Sequence, residues 1–450
     1  MTLEIWPRGR PKMITSTPID NSAQPPRAQP PVLDFVVHQH AEEAAMLRHQ
    51  RTRLVRAPYA GLLQLARLDE RIEAHLDGLL VAGAAGQAAA LRCLDEDPTG
   101  ATFVLGALAL RTCDNTLLER LLSLGDTLPP ARRGLASALG WVSATALQGV
   151  VSRMLAAESA GTRSLAFGAC RMHRVDPGAA LLTALGDRDA HLRSSALCAV
   201  GALGRVDLLG AVQAAMADEA EPEVVFSAAS AACRLGERRW SLRVLQATAL
   251  EPGARSLPAL VMLMAACTPE QAQEQARHFS ALARTQATAA ARRRQVQALG
   301  LLGDARHVPW LIDRMREPAL ARLSGLAFSW ISGADLAAQQ LESLAPPSSS
   351  GDALEDMAND DVALDADEGL PWPDLGRVEA WWAAHAAGLS VAGRLFNGRL
   401  VDEPALAHTL AAGTQQQRGH AALLRALRQP AQPLFVTAAP AWRQQRWLAS

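Results

Sequence analysis

Residues 191–212 read HLRSSALCAVGALGRVDLLGAV, and residues 291–311 read ARRRQVQALGLLGDARHVPWL. Placing Leu203 on Leu302 aligns the two stretches at an offset of 99 residues, which is three steps of 33. Other predicted helices end at residue pairs that are spaced 31 to 33 residues apart along the chain: Leu139-Gly140, Met172-His173, Leu203-Gly204 and Leu235-Gly236. A repeating unit of this length with two helices is typical of an α-solenoid.

One unit can be followed from Pro177 to Gly204. The sequence predicts a short helix that opens at Pro177-Gly178 and ends at Leu185-Gly186, and a second helix over 191–203 that ends at Gly204. Ordering 30 residues costs on the order of 45 kcal/mol, which would need roughly 1,800 Å² of buried apolar surface. A lone helical hairpin cannot bury that area, so we expect the units to stack.

The same unit resembles a HEAT repeat. The resemblance rests on an acidic turn, a Leu-Arg pair and an alanine in the helix that follows, and an Ala-Leu-Gly ending: Asp187, Asp189, Leu192-Arg193, Ala196 and Ala202-Leu203-Gly204. It covers about residues 88 to 345, although the units around 257–267 and 319–332 depart from it. The resemblance implies an all-α, HEAT-like solenoid and leaves the function open.

The chain divides by composition into five predicted parts. They are a disordered Pro-rich tail over 1–31, an N-terminal helical cap over 32–87, the repeat solenoid over 88–345, an acidic disordered linker over 346–369 and a C-terminal helical region over 370–450, which is expected to form a separate helical cap. In the N-terminal cap, apolar residues recur at helical spacing from Leu62 to Leu79 and predict one apolar stripe.

Charge and residue usage argue against several classes of function. The net charge is -1, from 44 basic and 45 acidic side chains, so no overall field attracts nucleic acid or an anionic membrane. The lysine Lys12 lies in the tail, which leaves the folded region without a lysine for a phosphate loop or a Schiff base. The sequence shows no signal-peptide core and no apolar stretch of about 18 residues, which predicts a cytoplasmic protein with no membrane contact.

Motifs of catalysis and metal binding are missing from the sequence. It contains no GxSxG, GxGxxG, HExxH or P-loop pattern, and its six cysteines form no CxxC pair and are expected to be small buried residues. His38 and His40 lie two positions apart, so a helix would point them to different sides. Residues 352–368 lack the ligand order of an EF-hand. We therefore predict a protein that is not an enzyme and holds no cofactor or metal.

Arginine clusters are candidates for binding a partner. Arg292, Arg293 and Arg294 are consecutive, and a second group lies near the N-terminus: Arg48, Arg51, Arg53 and Arg56. Guanidinium groups bind carboxylates and phosphates, so the two groups could line one surface. Alternatively, Arg292 and its repeat equivalent Arg193 pair with acidic turns of adjoining units as a structural ladder. The acidic linker could also bind back onto the arginine-rich helices and compete with an acidic partner.

A second candidate is the tryptophan pair Trp381-Trp382. Adjacent helical positions point about 100° apart, so one ring would pack inward while the other is offered to a partner. Packing of both rings in the core is the alternative.

Four stretches outside the repeats resemble an uncharacterised bacterial family of HEAT-like proteins. They are LDERIEAHLDGLLVAG at 68–83, LPWPDLGRVEAWW at 370–382, GTQQQR at 413–418 and APAWRQQ at 439–445. The match would span residues 32 to 450. Genes of this family lie beside type VI secretion genes, so the resemblance implies an adaptor or accessory chaperone for a secreted effector or spike component. No catalytic residue follows from it.

Two other functions remain as alternatives. A nucleic-acid-binding or DNA-repair protein would use the arginine groups, although the interleaving of aromatic residues that such surfaces show is poor. A HEAT-like lyase would need a pocket with converging acids and histidines.

Overall fold

The computed structural model describes residues 32–216, 220–344, 367–389 and 393–449. This part of the chain is all-α, with 22 α-helices, three short 3-10 turns and four two-residue strands. None of its helices is both long and apolar enough to cross a membrane. The predicted tail over 1–31 and residues 346–366 of the predicted linker lie outside the described residues.

Eight helices form a row in which each packs against the next: α4 (Pro98–Thr112), α6 (Pro129–Trp141), α8 (Ala160–His173), α10 (Ala190–Leu203), α12 (Pro222–Arg234), α14 (Ser256–Ala266), α16 (Ala289–Leu302) and α18 (Pro318–Ser332). The helices that connect them are α5 (Asn115–Thr127), α7 (Val150–Leu155), α9 (Ala180–Leu185), α11 (Leu209–Ala215), α13 (Trp240–Leu250), α15 (Pro269–Gln286) and α17 (Val308–Arg314). Each of these packs on the row helix that follows it.

Helix α10 begins and ends where the sequence predicts. The Asp189 carboxylate accepts a hydrogen bond from the backbone N–H of Leu192 at 2.8 Å, and Gly204 ends the helix at φ 69°. A Cβ at Gly204 would also lie 2.8 Å from the Pro430 carbonyl oxygen, because the C-terminal part of the chain passes close by. Glycine is therefore needed here for two reasons, the left-handed backbone and the close approach.

Small residues bring neighbouring row helices into close contact. A Cβ added at Gly201 of α10 would lie 2.7 Å from the Cα of Ala231 in α12. At Gly300 of α16, 99 residues later, an added Cβ would lie 2.8 Å from the Cβ of Ala327 in α18. The two glycines occupy the same position of the aligned repeat, so both units use the same close packing.

Three helices precede the row: α1 (Asp34–Leu54), α2 (Leu62–Val81) and α3 (Ala84–Arg92). The predicted stripe in α2 is buried at Leu65, Ile72, Leu76 and Leu79, all at 0% exposure, whereas Leu62 at the start of the helix is half-buried. Of the six cysteines, three are buried as predicted, whereas Cys113 is exposed and Cys198 and Cys267 are half-buried. Cys113 differs from the predicted burial because it lies at the C-terminal cap of α4, in a left-handed conformation with φ 57°.

The described part of the C-terminal region holds three of the four strands and four further helices. Strand β1 (Glu342–Ser343) pairs antiparallel with β2 (Trp372–Pro373), and β3 (Leu395–Phe396) pairs antiparallel with β4 (Arg399–Leu400). The helices are α19 (Leu375–Leu389), α20 (Glu403–Ala412), α21 (Gln415–Arg428) and α22 (Ala441–Ala449).

This region runs back along the ends of the row helices. Backbone N–H groups donate to carbonyl oxygens at 2.7 Å in three places: Leu395 to Gly303, Asn397 to Trp330 and Leu434 to Ala202. Farther on, the Arg443 guanidinium reaches the end of α6 at Gly140. Residues 393–449 are therefore not a separate cap, because they contact the row of helices from α18 back to α6.

The two ends of the described chain meet. Asp69 in α2 accepts a hydrogen bond from the backbone N–H of Ala441 and one from Arg51, both at 2.7 Å. Next to it the buried Arg418 donates to the side-chain oxygens of Gln415 and Gln444. Three of the four stretches that carry the family resemblance, 68–83, 413–418 and 439–445, thus meet at one junction.

Candidate functional site

A cavity of about 470 Å³ brings three of the predicted arginines together. Arg56 follows the end of α1, and Arg293 and Arg294 lie in the first turns of α16. We call it the arginine cavity and define it by these three residues together with Asp367 and Trp330, which also line it. Since Arg56 and Arg293 lie more than 200 positions apart in the sequence, the fold alone brings them together.

A carboxylate already sits in the arginine cavity. Arg293 donates to both carboxylate oxygens of Asp367, from Nη1 at 2.8 Å and from Nη2 at 2.5 Å. Arg322 of α18 donates to the backbone oxygen of Asp367 at 3.1 Å and lies over the Trp372 ring at 4.9 Å from its centroid. Asp367 is only 6% exposed. The forked contact is the geometry by which arginine recognises a carboxylate.

Arg294 supplies a second guanidinium to the cavity. Its Nη2 donates to the Ser256 hydroxyl at 2.7 Å and its Nη1 to the Gln297 side-chain oxygen at 3.0 Å. Burial, and then the charge of Arg293, lower the pKa of Arg294 from its ordinary value. An added anion near Arg294 would relieve that repulsion, so the site favours acidic ligands.

The wall of the arginine cavity is apolar. It is built from α14, α18 and the end of the acidic segment, by Leu257, Val261, Leu323, Leu326, Trp330 and Leu370. A neighbouring cavity of about 800 Å³ shares Pro58, Leu326, Trp330 and Leu370 with it and contains Tyr59. The Tyr59 ring packs so closely on Gly369 that an added Cβ there would lie 2.6 Å away. The arrangement can hold a chain with acidic and apolar side chains together.

The structure separates Arg292 from its two neighbours. Its guanidinium lies 3.7 Å from the Glu317 carboxylate, and it borders a different cleft with Arg314 and Trp310. This pairing matches the structural-ladder interpretation, in which an arginine pairs with an acid of the following unit. Arg193 donates to the backbone oxygens of Asp187 and Arg188, in the turn before its own helix.

The other N-terminal arginines do not reach the cavity. Arg48 donates to Ser137, and Arg51 to Asp69 and to the backbone of Ala438 and Ala439. Arg53 is exposed. Only Arg56 of that group therefore joins the predicted surface within the described part of the chain.

The tryptophan pair packs on the core and not in the arginine cavity. The rings of Trp381 and Trp382 both meet Phe328 of α18 edge to face, at centroid distances of 5.5 and 6.4 Å. Trp381 also stacks on His385 at 4.1 Å. Both tryptophans are half-buried. The contacts favour the interpretation in which both rings pack inward.

Asp367 and Trp330 are the cavity residues that the sequence did not single out. The predicted disordered linker included residues 367–369, yet these residues form a turn against the row of helices. The charge pattern suggests this kind of contact, since the acidic linker could bind back onto the arginine-rich helices, and the pairing of Asp367 with Arg293 is one such contact. Trp330 carried no such signal, since its position beside the arginines depends on how α16 and α18 pack.

Among the described residues, no three His, Cys, Asp or Glu side chains gather in a group that could hold a metal ion. His40 bonds His75, with 2.9 Å between the two Nδ1 atoms, and His38 lies 3.4 Å from Glu42. Comparison of the chain with models of protein families, with curated proteins and with solved structures finds no match.

Proposed function

We propose that the chain is a HEAT-like solenoid that works as a non-enzymatic protein-binding scaffold. Its partner would be a type VI secretion effector or spike component, which it serves as an adaptor or accessory chaperone. The observation that carries the proposal is the arginine cavity with the Asp367 carboxylate bound in it. The partner assignment rests on the sequence resemblance of the four terminal stretches.

The cavity suits an acidic peptide segment better than an isolated charge. Arg293 holds a carboxylate by two parallel hydrogen bonds, and Arg294 and Arg56 stand in the same cavity. Beside them, Leu326 and Trp330 offer apolar surface. A partner segment with two or more acids and a neighbouring apolar side chain would use both features.

The path of the C-terminal region restricts where a partner can bind. Helix α21 packs against α12 and α14, so this part of the row is covered by the chain itself. The arginine cavity is open to solvent and lies between α14, α16 and α18. We therefore place the partner at the arginine cavity and not along the whole array.

Affinity purification at native protein level, at low and high salt, tests the proposal. We expect the wild-type protein to recover a secretion effector or spike protein, and Arg294→Gln to lose most of it. Arg292→Gln is the matched control, because it removes the same charge two positions away and outside the cavity. Recovery of nucleic acid alone, released by high salt, would instead favour the nucleic-acid function. Equal recovery by both variants would exclude the cavity as the binding site.

A further inference from the structure

A further cavity, of about 790 Å³, shares no lining residue with the arginine cavity. It is enclosed by the start of α15, the end of α16, the residues around β4 and the end of α21. We call it the Arg394 cavity and define it by Arg238, Arg394, Arg428 and Cys267. None of these residues lines the arginine cavity, so the two sites are distinct.

Three guanidinium groups line this cavity without a carboxylate partner. These groups donate hydrogen bonds to backbone oxygens. Arg394 donates to Leu301 at 2.5 Å, and Arg428 donates to Val401 at 2.6 Å. Arg238 donates to three backbone oxygens, those of Leu427 at 3.3 Å, Glu237 at 3.1 Å and Cys233. In the described ranges no Asp or Glu oxygen lies within 4.0 Å of their nitrogens. The cavity is therefore electropositive.

The acidic residues of the cavity are engaged elsewhere. Asp304 accepts hydrogen bonds from Arg306 at 2.6 Å and from Gln273 at 2.6 Å. Asp402 caps α20 by accepting a hydrogen bond from the backbone N–H of Ala405 at 2.8 Å. Glu270 stands in the first turn of α15 and is exposed. None of the three forms an ion pair with Arg238, Arg394 or Arg428 in the described part of the chain, and the lining holds four arginines against these three acids.

Helix capping explains only part of the arrangement. Leu301 and Cys233 lie in the last turns of α16 and α12, where a cation is favourable. Each guanidinium has five N–H donors, and Arg394 and Arg428 each use one in a hydrogen bond to the protein. Burial lowers the pKa of Arg394 to about 10, with a contribution from the charge of Arg428 in the same direction. An anion between these groups would satisfy the remaining donors and remove their repulsion.

We propose that the Arg394 cavity binds a phosphorylated small molecule. Its phosphates accept hydrogen bonds from Arg238, Arg394 and Arg428, and its organic part lies on the apolar floor of Leu302, Leu424 and Leu427. The volume falls in the range of about 300 to 1,000 Å³ that is typical of small-molecule sites and exceeds the space that one phosphate ion fills. This site is independent of the partner site proposed above.

Isothermal titration calorimetry of the full chain tests the proposal, with inorganic phosphate, pyrophosphate, ATP and citrate as probes. We expect pyrophosphate and ATP to bind saturably and more tightly than phosphate, and binding to weaken as salt is added. Arg428→Gln should lower the affinity about tenfold or more, corresponding to the loss of one charged contact. This side chain is exposed, so the variant is expected to fold.

Arg399→Gln is the matched control. Arg399 is also exposed and lies on β4, but it lines the cavity that contains Tyr59. Its affinity for pyrophosphate should equal that of the wild-type protein. Absence of saturable binding, equal weakening in both variants, or citrate binding as tight as that of pyrophosphate would each overturn the phosphate assignment.

Discussion

The guanidinium of Arg443 donates to the carbonyl oxygens of Gly140 at 3.0 Å and Val142 at 2.7 Å, and so closes the end of α6 from about 300 positions away in the sequence. It also reaches the carbonyl oxygens of Trp141 at 3.3 Å and Met172 at 3.5 Å. Arg443 is 5% exposed, and burial lowers its pKa to about 10. A buried cation is tolerated here because four carbonyl dipoles surround it.

Replacing Arg443 should strongly destabilise the fold. Arg443→Met keeps much of the side-chain volume but leaves the buried carbonyl groups without a donor, so we expect a loss of about 3 kcal/mol in the free energy of unfolding. Urea unfolding followed by circular dichroism measures it. Arg446→Met is the control, because Arg446 is exposed on the same helix. Similar losses in the two variants would show that helix capping is not the cause.

His420 should make stability fall in acid. It lies between Trp330 and Phe396, and burial, with a smaller effect of the charge of Arg394, lowers its pKa to about 3. The unfolded chain takes up this proton near pH 6.5 and the folded chain does not, so stability is lost as the pH falls from about 6.5 toward 3. The slope is about 1.4 kcal/mol per pH unit for one such group.

His420→Phe tests this origin of the pH dependence. The variant removes the proton site and keeps an aromatic ring, so unfolding free energies measured between pH 7 and pH 4 should vary less than in the wild-type protein. The exposed His408 provides the control variant His408→Gln, which should keep the wild-type slope. If the stability of His420→Phe varies with pH as much as that of the wild-type protein, other groups cause the acid sensitivity. His173 is the next residue to test, because burial lowers its pKa to about 4.

Glycine-to-alanine substitutions should have opposite effects at two helical positions. At Gly201 an added Cβ meets Ala231 at 2.7 Å, so Gly201→Ala should destabilise the protein by about 1 to 3 kcal/mol. At Gly168 of α8 no atom lies within 4 Å of the added Cβ, and Gly168→Ala should stabilise by about 0.5 to 1 kcal/mol through helix propensity. Thermal unfolding of both variants measures the difference. If both variants are more stable than the wild-type protein, α10 and α12 must be able to move apart without a loss in the free energy of unfolding.

Asp367 should compete with acidic ligands of the arginine cavity. Asp367→Ala removes a carboxylate that Arg293 holds, so an oligoglutamate peptide should bind more tightly to the variant, by about tenfold at low salt. Fluorescence anisotropy with a labelled peptide measures this affinity. Glu342→Gln, which removes an exposed charge from β1, should leave it unchanged. Weaker peptide binding to Asp367→Ala would mean that Asp367 builds the site and does not occupy it.

The sequence predicts the helices of the row better than the contacts between distant parts. Helix α10 ends at Leu203 as predicted, because Asp189 and Gly204 encode its ends locally. The convergence of Arg56 with Arg293, in contrast, depends on how α1 and α16 are placed by the packing of all the helices between them. The return of the C-terminal region was missed for the same reason.

The β3–β4 pairing shows the same limit at smaller scale. Leu395 and Phe396 are buried, and Leu395 bonds Gly303 at the end of α16. Two-residue strands leave no alternating pattern to find in the sequence. Only the turn residues Asn397 and Gly398, both with positive φ, carried a local sign of the hairpin.

The junction of Asp69 with Ala441 has a consequence for synthesis of the protein on the ribosome. A chain is made from its N-terminus, and its first domains usually fold while the rest is still being translated. Here the buried Asp69 carboxylate in α2 receives its backbone donor from Ala441, 372 positions later in the chain, so α2 is translated long before its partner. This junction therefore forms only after the ribosome has translated the chain through α22, whereas the rest of α2 can fold earlier.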